Sequence, residues 1–546
     1  MNKKSILIYL MITGLFAIIA CNDDFMNRYP KTTLNDEIFF NTASDLRTYV
    51  NQFYPGLFSD SRFRDDNPSD NQLPNNRERI IWNEYTIPTS GDGWGKGDWM
   101  RIHRCNYFLQ RYQKATGIAA DIRRCVGEIL FFKSLEYYNK VTRYGDVPWL
   151  DRDLNVDSEE LFLPRTSRKV VMDSICANLD RAIRYLPEDM QEDRLSRYSA
   201  LTLKSRICLF EGTFRKYHNL GDHEKMLRQA ADAAWEVMKS GKFEIYSTGN
   251  PETDLYSLFQ LYYGDMKASK EAIHCFNFVI GLRAHNITRT AIEANTGMSK
   301  DFAESFLCRD GLPIALSPDY KGDAVYTDEF ENRDYRMKQT IYTSDNPFTI
   351  TDDGVVVTEP TPLFNNFVPT GYRMYKRMSF RDRDREPNRC EISEPFYRYA
   401  EVLLNYAEAK AELGECDQTV LDQTINLIRD RVAMPHMTYP IPFVDPNWPD
   451  WEVPVTPLIN EIRRERRIEL ACEGFRWNDL RRWKAGKLLN NPKTYLGARN
   501  PATGNYFEVY PGSTRVWNDR LYLYPIATNE IMYNPALVQN PGWDRQ

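Results

Sequence analysis

The chain has 546 residues, a formal net charge of −6, and is 42% hydrophobic and 27% charged. It is too long for one small core and too apolar to be disordered. A mildly acidic balance offers no basic surface for phosphate, so nucleic acid is not expected as a partner. Aromatic residues reach 13%, with 33 Tyr and 11 Trp, and where they sit becomes the central question.

The chain opens MNKKSILIYLMITGLFAIIAC, with Lys3 and Lys4 ahead of an apolar run from Ile6 to Ala20. A basic start, an apolar middle and a small residue at the end make a secretory signal peptide. The run is short for a membrane span, which needs about 20 apolar residues. Ile18-Ile19-Ala20-Cys21 fits the bacterial lipobox, so cleavage is expected before Cys21 and lipid on its sulfur. Several acyl chains on one cysteine anchor stably where a single chain binds marginally. Asp23 and Asp24 follow directly. The remaining cysteines show no CxxC or Cys/His ligand spacing, which argues against zinc. Most read as buried small hydrophobes, as Cys208 does within LKSRICLF.

Beyond the leader (1–20) and a lipid-anchored linker (21–34), a first region is expected over 35–244. Within it, 60–98 is loop-like, dense in Asn, Asp, Pro and Gly. Helical patterns follow at 99–114, 122–144, 168–185, 199–214 and 223–239. In the third, Val171, Ile175, Leu179, Ala182 and Leu186 recur every three or four residues, one stripe of a 3.6-residue helix. Residues 245–390 lose that period and read as an irregular lobe of short strands and loops. Helices return in 391–546, at 397–413, 420–432 and 458–473. Paired amphipathic helices of this length predict a mostly α chain of tetratricopeptide-like helix pairs, which bury a core only by stacking. Tyr137, Tyr138, Tyr399 and Tyr406 lie on the helical stripes and are expected in the core.

The most charged stretch is ERRIELACEGFRWNDLRRWKAG, residues 465–486. Thr456-Pro457 opens its helix with a capping residue and a first-position proline. Glu465 and Glu469 fall beside the apolar stripe and need partners there. Arg466, Arg467 and Arg476 are the expected ones. Gly474 suits the left-handed position past the helix end. The stretch therefore reads as two short helices stitched by ion pairs, a structural girder rather than an acid/base pair.

NEIRRERRIELACEGFRWNDLRRWKAG (460–486) resembles the C-terminal signature of the SusD/RagB family of outer-membrane nutrient-binding lipoproteins. GEILFFKSLEYYNKVTRYGDVPWL (127–150), RYAEVLLNYAEAKAELG (398–414), NRDYRM (332–337), GYRMYK (371–376) and YPIATNEIMYNPALVQNPGW (524–543) extend the resemblance over nearly the whole mature chain. It implies a SusD-like fold of tetratricopeptide-like helix pairs with an irregular ligand-associated lobe. It also implies a lipid anchor on the outer face of the outer membrane and a SusC-like TonB-dependent barrel transporter as partner. The implied role is to capture a glycan and close as a lid over that barrel, without catalysis. A peptide-binding lid of RagB type, a scaffold with weak ligand affinity and a surface glycosidase are the alternatives. No HExxH or GxSxG is present, and the six His are scattered.

Sugar rings pack C–H faces on aromatic side chains and match hydroxyls to planar polar groups. The resemblance places ligand sites in loops after the N-terminal region and in the irregular lobe. Segment 60–98 and the residue after it offer Asn71, Trp82, Tyr85, Trp94 and Trp99; the lobe offers Tyr262, Tyr263, Tyr320 and Tyr326. Trp94 leads, because SGDGWGKGD flanks it with glycines that supply no neighbours to bury it. The same loop fails as a phosphate cradle, with Ser90 and Gly97 where a Walker A motif needs Gly and Ser/Thr. Asp92 and Asp98 leave room for a calcium ion, but no EF-hand spacing supports one, and no cofactor is expected.

Overall fold

The structure is a computed structural model and describes residues 39–189 and 193–544. The leader, the lipobox, Cys21, Asp23 and Asp24 lie outside the described residues. The helices used below are α1 Ala43–Asn51, α2 Lys96–Arg111, α3 Ala119–Tyr144, α4 Arg168–Tyr185, α5 Arg197–Tyr217, α6 His223–Met238, α7 Lys300–Ser305, α8 Tyr399–Glu412, α9 Ile425–Arg431, α10 Pro457–Glu469 and α11 Arg476–Arg482. The chain is mostly helical, as its periodicity predicts.

Helices α3 and α4 pack as one pair and α5 and α6 as the next; α8 lies against α6 and α10 and so closes the array from the C-terminal side. The predicted stripe of α4 is buried from Val171 to Leu186. Tyr137, Tyr138 and Tyr399 are buried as well, while Tyr406 is half-buried and stacks on Trp235. All nine described cysteines are buried and unbridged. No helix among the described residues is long and apolar enough to cross a membrane.

The strands are β1 Gln72–Pro74, β2 Ala272–Phe276, β3 Thr296–Met298, β4 Thr349–Ile350, β5 Val356–Val357, β6 Glu394–Arg398, β7 Leu496–Arg499 and β8 Tyr506–Glu508. They form separate antiparallel pairs, β1–β3, β2–β6, β4–β5 and β7–β8. The β1–β3 ladder sets Gln72 opposite Met298 and Pro74 opposite Thr296. It fastens the loop-like 60–98 segment to the irregular lobe.

The ion-paired stretch is a girder, but its stitching differs from expectation. Glu465 pairs with Arg336 at 2.6 Å and Arg429 at 2.9 Å. Glu469 pairs with Arg431 at 2.6 Å, Arg398 at 2.7 Å and Arg336 at 3.2 Å. Arg466 turns instead to Asp479 at 2.9 Å, and Arg476 to Asp70 at 2.7 Å. Residues one or two positions apart on a helix do not face each other, and the inward-facing Glu465 and Glu469 draw their partners from the elements packed against α10. At Gly474 φ is +78°, and a Cβ there would sit 3.0 Å from that of Asp65.

Candidate ligand-binding surface

The structure buries the leading candidate. Trp94 is packed edge-on to Tyr144, centroids 4.9 Å apart, and to Trp99 at 5.6 Å. The glycines that seemed to expose it do the reverse. Gly91, Asp92 and Gly93 all take positive φ, and this turn swings the ring inward. The turn is held from behind: Tyr144 hydroxyl donates to the Asp92 carbonyl, Arg143 pairs with the Asp92 carboxylate at 2.8 Å, and Trp99 Nε1 donates to the Trp94 carbonyl at 3.0 Å. Trp99 is half-buried in the same knot. Trp94→Ala is therefore expected to cost about 3 kcal/mol of stability. The folded fraction should bind ligand unchanged. A melt paired with a titration checks both halves.

Trp82 and Asn71 are also buried, against expectation. Trp82 lies between Tyr510 at 5.2 Å and Tyr495 at 5.5 Å, with the Arg77 guanidinium 4.8 Å from its ring. Asn71 Oδ1 accepts from Arg467 Nε at 2.7 Å. Both are supports. Tyr85 is half-buried, its hydroxyl on Asp92 and its ring edge-on to Tyr524. Tyr262 packs beside Arg381 and Arg383, and its hydroxyl donates to Asp384 at 3.1 Å. Tyr263 is 40% exposed. Tyr326 is buried and stacks on Tyr372, and Tyr320 is half-buried near Arg333.

The two expected segments nonetheless meet, and other aromatic rings mark the junction. Asn75, next to β1, donates from Nδ2 to the Asn366 carbonyl at 2.5 Å. Residues 361–370 then run beside the β7–β8 hairpin, where Ala498 N–H donates to the Thr370 carbonyl at 2.7 Å. This approach is so close that a Cβ on Gly497 would lie 2.3 Å from the Thr370 oxygen, which only glycine permits. The result is a shelf. Phe364 and Phe507 stack with centroids 4.5 Å apart and an interplanar angle of 25°. Phe367 stands 43% exposed. Its turn is set by Asn365, whose Oδ1 accepts from the N–H groups of Phe367 and Val368, both at 2.9 Å, the Asx geometry that fixes a tight turn.

Planar polar residues lie close to these rings in the chain. The side-chain amides of Asn76, Asn366 and Asn505 have no protein partner among the described residues. At the hairpin end, Asp323 accepts from Tyr506 hydroxyl at 2.5 Å, Lys300 at 2.6 Å and Arg499 at 2.9 Å. Burial opposes ionisation of Asp323, but hydrogen bonds from Lys300 and Tyr506 outweigh it and hold the carboxyl well below the usual range. Burial first and Asp323 next push the Tyr506 phenol up to about 12. Tyr506 is thus a fixed neutral donor at ordinary pH. The shelf sets the exposed Phe367 near the half-buried Phe364–Phe507 stack, an arrangement suited to holding a polar ring system flat.

Sequence reasoning passed over PLFNNFVP (362–369) and GNYFEVY (504–510). Their signal was aromatics interleaved with asparagine in turn-rich surroundings, without tryptophan to draw attention.

The SusD family model matches residues 284–543. A SusD-like protein of Bacteroides fragilis has a solved structure that covers 93% of this chain and 99% of its own, at 26% identity and a TM-score of 0.73. A SusD-like carbohydrate-binding protein from the same species aligns over 92% of this chain and 100% of its own, at 22% identity and a TM-score of 0.70. SusD-like protein P2 of Formosa agariphila is 22% identical over 556 residues, covering 97% of this chain and 98% of that relative.

Proposed function

We propose, from the match of residues 284–543 to the SusD family model, that this chain is a cell-surface glycan-binding lipoprotein of that kind. It captures oligo- or polysaccharide on the shelf of Phe364, Phe367 and Phe507 and acts as a lid on a SusC-like TonB-dependent transporter. The observation that carries this reading is the partly exposed aromatic shelf, with asparagine amides that have no protein partner among the described residues, at one of the places where 60–98 and the irregular lobe join. Aromatic faces with a few placed polar groups are how proteins bind ligands that are apolar on their faces and polar at their edges. A relative described as carbohydrate binding, matched here in fold, points the same way. The role is binding and release, not turnover.

The experiment is calorimetric titration of the unlipidated mature chain with plant, host and microbial glycans and with mixed peptides. Heat with at least one glycan class and none with peptides is expected. Peptide heat with glycan silence would replace this reading with the peptide lid.

Anchoring has its own test. In Cys21→Ala, fatty-acid labelling of the chain should vanish and the protein should leave the membrane fraction. Persistent label would refute lipidation at that residue.

A further inference from the structure

Away from the shelf, a cleft of about 510 Å³ opens between α10, α7 and the turn DPNWPDW, residues 445–451. Its size is in the range of pockets that take small ligands, roughly 300–1,000 Å³. We propose that this cleft is a second sugar subsite, selective for a neutral segment, so that one glycan chain engages cleft and shelf together. The inference rests on the glycan reading and adds a separate site to it.

The turn is built to hold its side chains still. Asp445 Oδ1 accepts from the Asn447 N–H at 2.8 Å, and its carbonyl accepts from the Trp448 N–H at 3.0 Å. Arg464 clamps the Asp445 carboxylate at 2.5 Å, and buried Trp451 donates from Nε1 to Asn460 at 2.9 Å. Both clamps come from α10. What the turn then presents to the cleft is the half-buried ring of Trp448 and the exposed amide of Asn447. A turn braced before the ligand arrives presents its ring and amide at a smaller ordering cost.

The floor argues for a ligand without charge. Asp70 is held by both arms of Arg476 at 2.7 Å and by Arg467 at 3.3 Å. Asp301 is held by Arg467 at 2.8 Å. Arg464 bridges Asp445 and Glu461. An ionic ligand seated on this floor would have to break one of these pairs and leave a buried charge alone, which is costly. Hydroxyls need only donors and acceptors, and the rim supplies both. Asn490 lines it with its Oδ1 already bonded to the Trp517 N–H, Asn491 is bonded at both ends of its amide, and Lys487 and Asp450 stand there with no protein partner among the described residues.

Short helix α7 separates the two sites. Lys300 reaches Asp323, and through it Tyr506, on the shelf side; Asp301 and Glu304 line the cleft. A chain long enough to span α7 and bound at one site meets the other at high effective concentration, which raises avidity without any new contact.

The test titrates the wild-type chain, Trp448→Ala, Asn447→Ala and Phe507→Ala with neutral cello-, malto-, manno- and xylogluco-oligosaccharides and their parent polysaccharides. Thermal melts check folding, and Asn447→Ala, on an exposed side chain, secures the result against misfolding of the tryptophan variant. Parent-polysaccharide affinity should fall roughly tenfold in Trp448→Ala and several-fold in Asn447→Ala. Each loss should shrink on the shortest oligosaccharides, which cannot span both sites. Polysaccharide binding lost in Phe507→Ala but untouched in both turn variants would overturn the cleft and leave the shelf standing. A peptide bound in a Trp448-dependent way would overturn the sugar assignment of the cleft. Absence of any neutral-glycan binding would overturn both sites.

Discussion

Glu469→Ala is expected to remove about 4–5 kcal/mol of folding stability, the largest effect foreseen for a single substitution here. Breaking a buried pair by deleting one partner costs about 3–5 kcal/mol because the surviving charge stays buried and alone. Glu469 serves three guanidiniums at once, those of Arg431, Arg398 and Arg336. These residues come from α9, from the end of β6 and from the irregular lobe, so one carboxylate joins the helical array to the lobe. Burial opposes its ionisation, but the charges of Arg431, Arg398 and Arg336 outweigh burial and hold the carboxyl well below the usual range. Glu473 is depressed in the same way by Arg398 and Lys376 against the same burial. A depressed carboxylate lends stability that is present above the unfolded value, about 4.3, and is lost as pH falls through the folded one. Wild-type stability should thus drop steeply below about pH 4, and Glu469→Gln should flatten that limb. Chemical denaturation at pH 7 and at a series of values from about pH 4 down to about pH 2.5 reads both. A variant as stable as wild type but unable to bind ligand would turn the girder into a site.

What could be read in advance divides along physical lines. The stripe of α4 and the signature of α8 announced themselves because helix period and burial are local properties of ten to twenty residues. The capping of α10 was equally local: Thr456 Oγ1 accepts from the Ile459 N–H at 3.3 Å, with Pro457 following. The partners of Glu469 were not legible. They lie 38, 71 and 133 residues away, and no spacing rule links them. Trp94 shows a subtler failure. Glycine signals backbone freedom, and freedom was read as exposure, whereas positive φ at three successive residues is what lets the ring fold under Tyr144. The regions expected to carry the site did converge, through β1–β3 and Asn75. Which aromatic rings stay open after that convergence is decided by packing. Trp82 became a support beneath Tyr510, while of the smaller rings Phe367 was left exposed and Phe364 and Phe507 half-buried.

The paired substitution Phe367→Ala with Phe507→Ala should abolish most glycan binding, by roughly 100-fold or about 2.7 kcal/mol, while the melting temperature moves little. The reasoning is geometric. Phe367 is 43% exposed and Phe507 is half-buried, so truncating them opens no large internal void, and the cavity penalty that follows core truncation is largely absent. Each ring removes one flat apolar surface from the shelf, and flat aromatic anchors dominate the energetics of such contacts. Asn365 should remain in place, because its Oδ1 bonds to main-chain N–H groups rather than to either ring. Phe364 alone would lose its stacking partner and stay tethered in the 361–370 segment. Single variants should each lose roughly tenfold, and a double variant that loses no more than either single would mean the two rings act as one unit. Titration of the same glycan against all three proteins separates these cases. Unchanged affinity in the double variant would move ligand capture off the shelf and leave the cleft beside Trp448 as the principal site, a reversal of order between the two surfaces that the Trp448→Ala titration would read independently.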